Sequence, residues 1–153
     1  MSGPGRPETV HLDLDDLLEI ARWAVGGEPQ VRDHGLLASA AARPQTTVFG
    51  ADAYPSVLEK AAALCESLTR NHGLVDGNER LAWLATWVFC DLNEIRLVAT
   101  QDEIVDLIVD VAEGSLPELR QIVDRLAGYL PTAPAPRRVA LSHLRSAQSA
   151  RPA

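Results

Sequence analysis

Leu81-Ala82-Trp83-Leu84-Ala85-Thr86-Trp87-Val88-Phe89-Cys90 is a run of ten residues without a charge, and it decides the fold. Wound as a helix it is apolar on every side, yet it is only about half as long as a bilayer crossing requires. Such a helix, spanning Asn78 to about Leu92, must lie in the centre of a helical bundle. Trp83, Trp87 and Phe89 supply its bulk, and the Trp83/Trp87 pair, four residues apart, reads as core packing rather than as a cofactor platform.

The segments around this helix carry helical periodicity of their own. Upstream, Leu14, Leu17, Leu18 and Ala21 mark a helix from about Asp13 to Val25, with Asp13, Asp15 and Asp16 at its positively polarised start and Gly26-Gly27 ending it. A shorter helix covers Asp33 to Arg43 and stops at Pro44. Gln45 to Asp52, with β-prone Thr46, Thr47, Val48 and Phe49, predicts an exposed loop or small hairpin. Val57, Ala61, Leu64 and Leu68 mark a third helix, with Pro55 in its first turn and Asn71 near its end. Downstream, Ile95 to Val98 reads as an extended link. Ile104, Leu107, Ile108 and Val111 then mark a fifth helix, whose acidic face is solvated, and Leu116, Leu119, Val123 and Leu126 a sixth. The expected fold is all-α: about six helices, a buried central helix and a small flap.

Composition bounds the function classes. Residues 1–130 carry ten basic and all twenty-one acidic side chains, a formal −11, whereas residues 131–153 carry four arginines and no acid. So acidic a body disfavours a phosphate backbone, and no direct nucleic-acid partner is expected. The start Met-Ser-Gly-Pro-Gly lacks the basic and apolar regions of a signal peptide, and no segment predicts a membrane span, so the expected location is cytoplasmic. Cys65 and Cys90 form neither a CxxC pair nor part of a histidine cluster, and read as small core residues. From Pro131 the chain is rich in Pro, Ala, Ser and Arg and predicts a flexible tail in which Val139 to Leu144 could become helical against a partner.

The chemistry lies in Asn71-His72-Gly73-Leu74-Val75-Asp76-Gly77-Asn78-Glu79-Arg80, a tight turn between the third and fourth helices. Amides at the start of the fourth helix can face an anion, Gly77 permits close backbone approach, and Arg80 can add charge-assisted hydrogen bonds. Asp76 can hold a magnesium ion against phosphate oxygens, and His72 can take the proton of an attacking hydroxyl. The residues alone also allow a plainer account. Asp76 and Glu79 suit a capping box, His72-Gly73 a helix end, and Arg80 an ordinary surface arginine.

The turn resembles the signature of the Fic/Doc family, whose Doc (death-on-curing) branch reads approximately His-Pro-Phe-x-Asp-Gly-Asn-Lys-Arg. The likeness extends over roughly residues 10–127, through Gly26-Gly27, Val31-Arg32-Asp33, Leu36-Leu37, Ser39-Ala40, Arg43-Pro44-Gln45, Tyr54-Pro55, Lys60-Ala61-Ala62, Leu92-Asn93 and Ala112-Glu113-Gly114. It implies a Fic-type helical domain over residues 10–130, between a flexible stretch at 1–9 and the tail at 131–153. It also implies transfer of the ATP γ-phosphate to a threonine of elongation factor Tu, which blocks translation. The matching positions make His72 the general base, Asp76 the magnesium ligand, Gly77, Asn78, Glu79 and Arg80 the phosphate-binding loop, and Thr46 to Gly50 a neighbour of the target-docking flap.

The chain departs from this pattern in three places. Gly73 and Leu74 replace the family's proline and phenylalanine, which predicts a looser, less firmly anchored loop. Glu79 replaces the Doc lysine and sets a negative charge against a triphosphate, which predicts weak ATP binding and slow transfer. Trp83 stands where adenylylating relatives carry a second arginine, which favours the Doc branch. Transfer of AMP to a protein hydroxyl, and a silent Fic domain that only binds partners, stay open as alternatives. No serine or threonine is followed by glutamate four positions later, so the self-inhibiting helix of many relatives is not expected. A separate Phd-type antitoxin is the implied inhibitor.

Overall fold

The computed structural model describes residues 5 and 7–132. The expectations for residues 1–4 and 6, and for the tail at 133–153 with its Val139–Leu144 segment, lie outside the described residues. Six helices and one hairpin make up the described chain: α1 (Leu14–Val25), α2 (His34–Ala42), a 3-10 turn at Arg43–Gln45, β1 (Thr47–Val48), β2 (Ala51–Asp52), α3 (Val57–Asn71), α4 (Asn78–Leu92), α5 (Gln101–Glu113) and α6 (Leu119–Ala127).

Local chemistry sets the helix starts. The Asp13 carboxylate accepts from the Asp16 amide at 2.8 Å and the Asp16 carboxylate from the Asp13 amide at 3.0 Å, which makes Asp13 the cap of α1 and not its first residue. Thr100 and Glu103 cap α5 in the same reciprocal way. Pro55 does not occupy the first turn of α3. Ser56 stands extended as the N-cap and accepts from the Glu59 amide at 3.1 Å, so the helix begins one residue later. Leu116 likewise falls outside α6, because it precedes Pro117, a position biased away from helical backbone.

α4 is buried as its sequence demands, with Leu81, Ala82, Ala85, Thr86, Val88, Phe89 and Cys90 in the core. It shares the centre with α3, whose periodicity shows only one apolar stripe. In the structure Lys60 to Cys65 and Ser67 to Thr69 are all buried, and α3 packs on α2, α4, α5 and α6. The alanines at 61–63 let neighbouring helices approach closely, and the hydroxyls of Thr69 and Thr86 donate to carbonyls one turn back at 2.7 and 2.6 Å. Burial pushes the thiols of Cys65 and Cys90 up to about 11 and about 12, so both stay protonated and unreactive. Trp83 lies edge-on to Tyr129, and the indole N–H of Trp87 donates to the Leu97 carbonyl at 3.2 Å, consistent with packing roles for both. Among the described residues, no helix is long and apolar enough to cross a membrane.

The Gln45–Asp52 stretch takes the hairpin form, with Thr47 opposite Asp52 and Val48 opposite Ala51. Phe49 and Gly50 make the turn, both at positive φ (51° and 79°), as a tight two-residue hairpin requires.

Candidate active site

The turn from Asn71 to Arg80 begins where α3 ends. His72 caps that helix in left-handed backbone, φ 51° and ψ 51°. The last carbonyls of a helix have no partner within it, and here Arg32 supplies one. Its Nε donates to the His72 carbonyl at 2.8 Å and its Nη2 to the Asn71 carbonyl at 3.1 Å. The backbone beside Arg32 continues the connection. The amides of Arg32 and Asp33 donate to the Gly73 carbonyl at 2.8 and 3.1 Å, Val31 pairs with Leu74 as an antiparallel bridge, and the Val75 amide donates to Gln30 at 2.9 Å.

The side chain of Asn78, at the head of α4, closes the turn from the other side. It accepts from the Leu74 amide and donates to the Leu74 carbonyl, both at 2.9 Å. Asn78 therefore shapes the loop with its amide group, which is committed to backbone. Leu74 itself is 1% exposed.

The expected loosening at Gly73 and Leu74 is not what the structure shows. Leu74 fills the core position, and Gly73 sits so close to α2 that a Cβ there would lie 2.7 Å from Leu37 Cδ2. The small residue permits contact here and leaves no gap.

The capping box of Asp76 and Glu79 is also absent. α4 is capped by Gly77, at φ 89°, with no side-chain hydrogen bond, which moves Glu79 to the second helical position and out of capping register. A Cβ at Gly77 would lie 2.6 Å from Val25 Cγ1, so this residue is tied to glycine by both conformation and space. The first amides of α4 have no acceptor among the described residues.

His72, Asp76, Glu79 and Arg80 are exposed, and none of their side chains has a hydrogen bond or ion pair with another described residue. A rigid backbone thus presents an imidazole, two carboxylates, a guanidinium and free helix-start amides, the donors and acceptors that phosphate chemistry needs. Among the described residues, no group of three or more His, Cys, Asp and Glu side chains is arranged to hold a metal ion unaided.

Sequence reasoning passed over the residues that build this arrangement. Arg32 and Leu37 stood only within matched strings, and Asn78 was assigned to phosphate. It also missed the base of the hairpin. Lys60 is 3% exposed, and its ammonium donates to Asp52 at 3.1 Å and to the Tyr54 carbonyl. Arg43 donates to the Tyr54 hydroxyl (3.1 Å) and Ser67 (3.0 Å) and pairs with Glu66 at 2.8 Å. A lysine directly before Ala61-Ala62-Ala63 was the available signal, since a charge in so apolar a helix requires a partner.

Helical bundle, hairpin and cradle-like turn together define a protein of the Fic class. The chain belongs to the Fic/DOC family, whose model matches residues 11–90. It is also 50% identical over 123 residues, 79% of this chain and 94% of the relative, to Toxin Doc of Mycolicibacterium smegmatis, and is a homologue of that protein.

Proposed function

We propose that this chain is a Doc-type toxin, a Fic-family transferase that moves the γ-phosphate of ATP to a threonine of elongation factor Tu and so blocks translation. One observation carries the proposal. The turn between α3 and α4 holds its backbone through buried and bonded groups and keeps His72, Asp76 and Arg80 exposed and without a partner among the described residues, in the same short segment as the uncapped amides of α4. In this mechanism Arg80 and the α4 amides bind the phosphates, with Gly77 allowing close approach, and orient them for transfer. His72 accepts the proton of the attacking hydroxyl as its oxygen bonds to phosphorus and the bond to the nucleotide's leaving oxygen breaks.

Magnesium fits this site in a limited way. It favours water and phosphate oxygens with one or two carboxylates, and Asp76 is an unengaged carboxylate next to the free amides. The ion would neutralise phosphate charge. Glu79, which takes no part in capping, adds negative charge to the same turn and slows the reaction. Residues 10–130 form the transferase unit in this proposal. Inhibition comes from a Phd-type antitoxin, in keeping with the toxin name of the relative, and a translation-factor target places the protein in the cytoplasm.

The test is incubation with elongation factor Tu and ATP labelled on either the γ- or the α-phosphate. Label from the γ-position alone is expected. Label from the α-position means AMP transfer, the second possible activity, and label from neither, with ATP still bound, means a silent domain. Trp83 disfavours the AMP outcome, since this partly buried indole offers no cation to a phosphate.

A further inference from the structure

We infer that Arg32 is a positioning residue for His72, setting the backbone from which the imidazole is aimed without itself touching substrate. This rests on the proposed role of His72 as the base. His72 has φ 51°, a left-handed conformation that an L-residue with a Cβ adopts only when its surroundings over-determine it.

Arg32 is the residue that does so from both sides. Its side chain donates to the carbonyls of Asn71 and His72 (3.1 and 2.8 Å), while its own amide donates to the carbonyl of Gly73 at 2.8 Å. Three consecutive peptide groups, centred on the candidate base, are thus bound to one residue forty positions earlier. The guanidinium also places a cation on the negative end of α3. The residue after His72 is glycine, whose backbone no ring restrains, so the turn depends on contacts from outside it: Arg32, the Asp33 amide on the Gly73 carbonyl and the close approach of Leu37. Lysine cannot replace Arg32, because one ammonium does not reproduce two donors held in a fixed fork.

The experiment compares full-length wild type with Arg32→Met, Arg32→Lys and Thr100→Ala, measuring kcat, KM for ATP, Tm and the backbone coupling and imidazole shifts of His72 by NMR. Thr100→Ala removes the side-chain cap of α5, whose hydroxyl accepts from the Glu103 amide at 3.2 Å, and serves as a purely structural loss away from the turn. Arg32→Met is expected to lower kcat at least about tenfold with KM for ATP within about twofold, because misplacing a catalytic group costs rate rather than ground-state binding. Arg32→Lys should recover only a minor part, and Thr100→Ala should lower Tm while keeping kcat. The inference is overturned if Arg32→Met loses Tm but not kcat, or if Thr100→Ala loses kcat equally. Should the wild type transfer nothing to any acceptor, the proposed function fails on its own. The Arg32 inference is then decided by NMR: a His72 backbone that leaves the left-handed region in Arg32→Met supports it, and an unchanged one overturns it.

Discussion

The turn at 71–80 and the hairpin at 46–54 both hold exposed groups on the same helical body, by opposite means. In the turn, backbone groups are bonded to residues 30–33 and to Asn78, Leu74 is buried, and the side chains of His72, Asp76, Glu79 and Arg80 have no partner among the described residues. In the hairpin, side chains do the holding. Lys60 and Arg43 grip Asp52 and Tyr54 at its base, while Phe49 at the tip is fully exposed and Val48 half-exposed. A fixed backbone with free side chains suits chemistry that needs aimed groups. A tethered base with an open strand edge and an apolar tip suits contact with another chain.

The largest expected effect strikes the turn at its proposed base and not where its backbone is built. His72→Ala should reduce transfer about a hundred- to ten-thousand-fold, with Tm nearly unchanged because the imidazole has no partner among the described residues to lose. Persistence of full phosphate transfer would assign the base to another residue.

Gly77→Ala tests the backbone side of the comparison. The added Cβ meets Val25 at 2.6 Å and must accept φ 89°, which together should cost about 2–3 kcal/mol, read as a lower denaturation midpoint with an unchanged slope. Destabilisation under about 0.5 kcal/mol would mean that the turn yields easily and that its rigidity is overstated.

Glu79→Lys changes charge without disturbing a bond. With no cap or ion pair among the described residues to break, stability should hold, and a residual electrostatic gain of about 1.4 kcal/mol would raise phosphate transfer roughly tenfold. Growth arrest on expression gives a second measurement. Equal rates would show that the carboxylate stays clear of the phosphates.

Lys60→Met moves the test to the hairpin. An apolar side chain of similar length suits the buried stem and releases Asp52 to water, so global stability should shift by less than about 1 kcal/mol. Amide exchange at Ala53, which donates to Thr46 at 2.8 Å across the hairpin base, should quicken all the same. Unchanged exchange would remove the buried charge from the account of how the hairpin is held.

The smallest effect concerns His11, beside the same charges. Burial and then the Lys60 cation hold its imidazole below the ordinary value of 6.5, and its Nδ1 has no partner among the described residues. The folded state therefore resists a proton that the unfolded chain accepts. This contribution to stability is full above pH 6.5 and falls as the pH drops below it, through the depressed folded value. His11→Gln should flatten that part of the stability profile, and an identical slope in the variant would assign the proton uptake elsewhere.

Much of the fold was legible in the amino-acid order. The uncharged run at Leu81–Cys90 had to be interior, and periodicity and punctuation at Gly26, Pro44 and Gly114 located helices to within a few residues, since these signals act over one or two turns of chain. The residues of the candidate site were legible for the same reason: His72, Asp76, Gly77 and Arg80 stand within one short turn. What only the tertiary structure decided depends on partners distant in sequence. Arg32 reaches the end of α3 across forty positions, Leu37 meets Gly73, Val25 meets Gly77, and Lys60 is buried because other helices enclose α3. The capping register of Glu79 was decided the same way, when the packing of Gly77 against Val25 made glycine, and not Asp76, the first residue of the helix boundary. Local preferences propose where an element begins, but which groups meet across the core is settled by the packing of whole helices, which no short window of sequence contains.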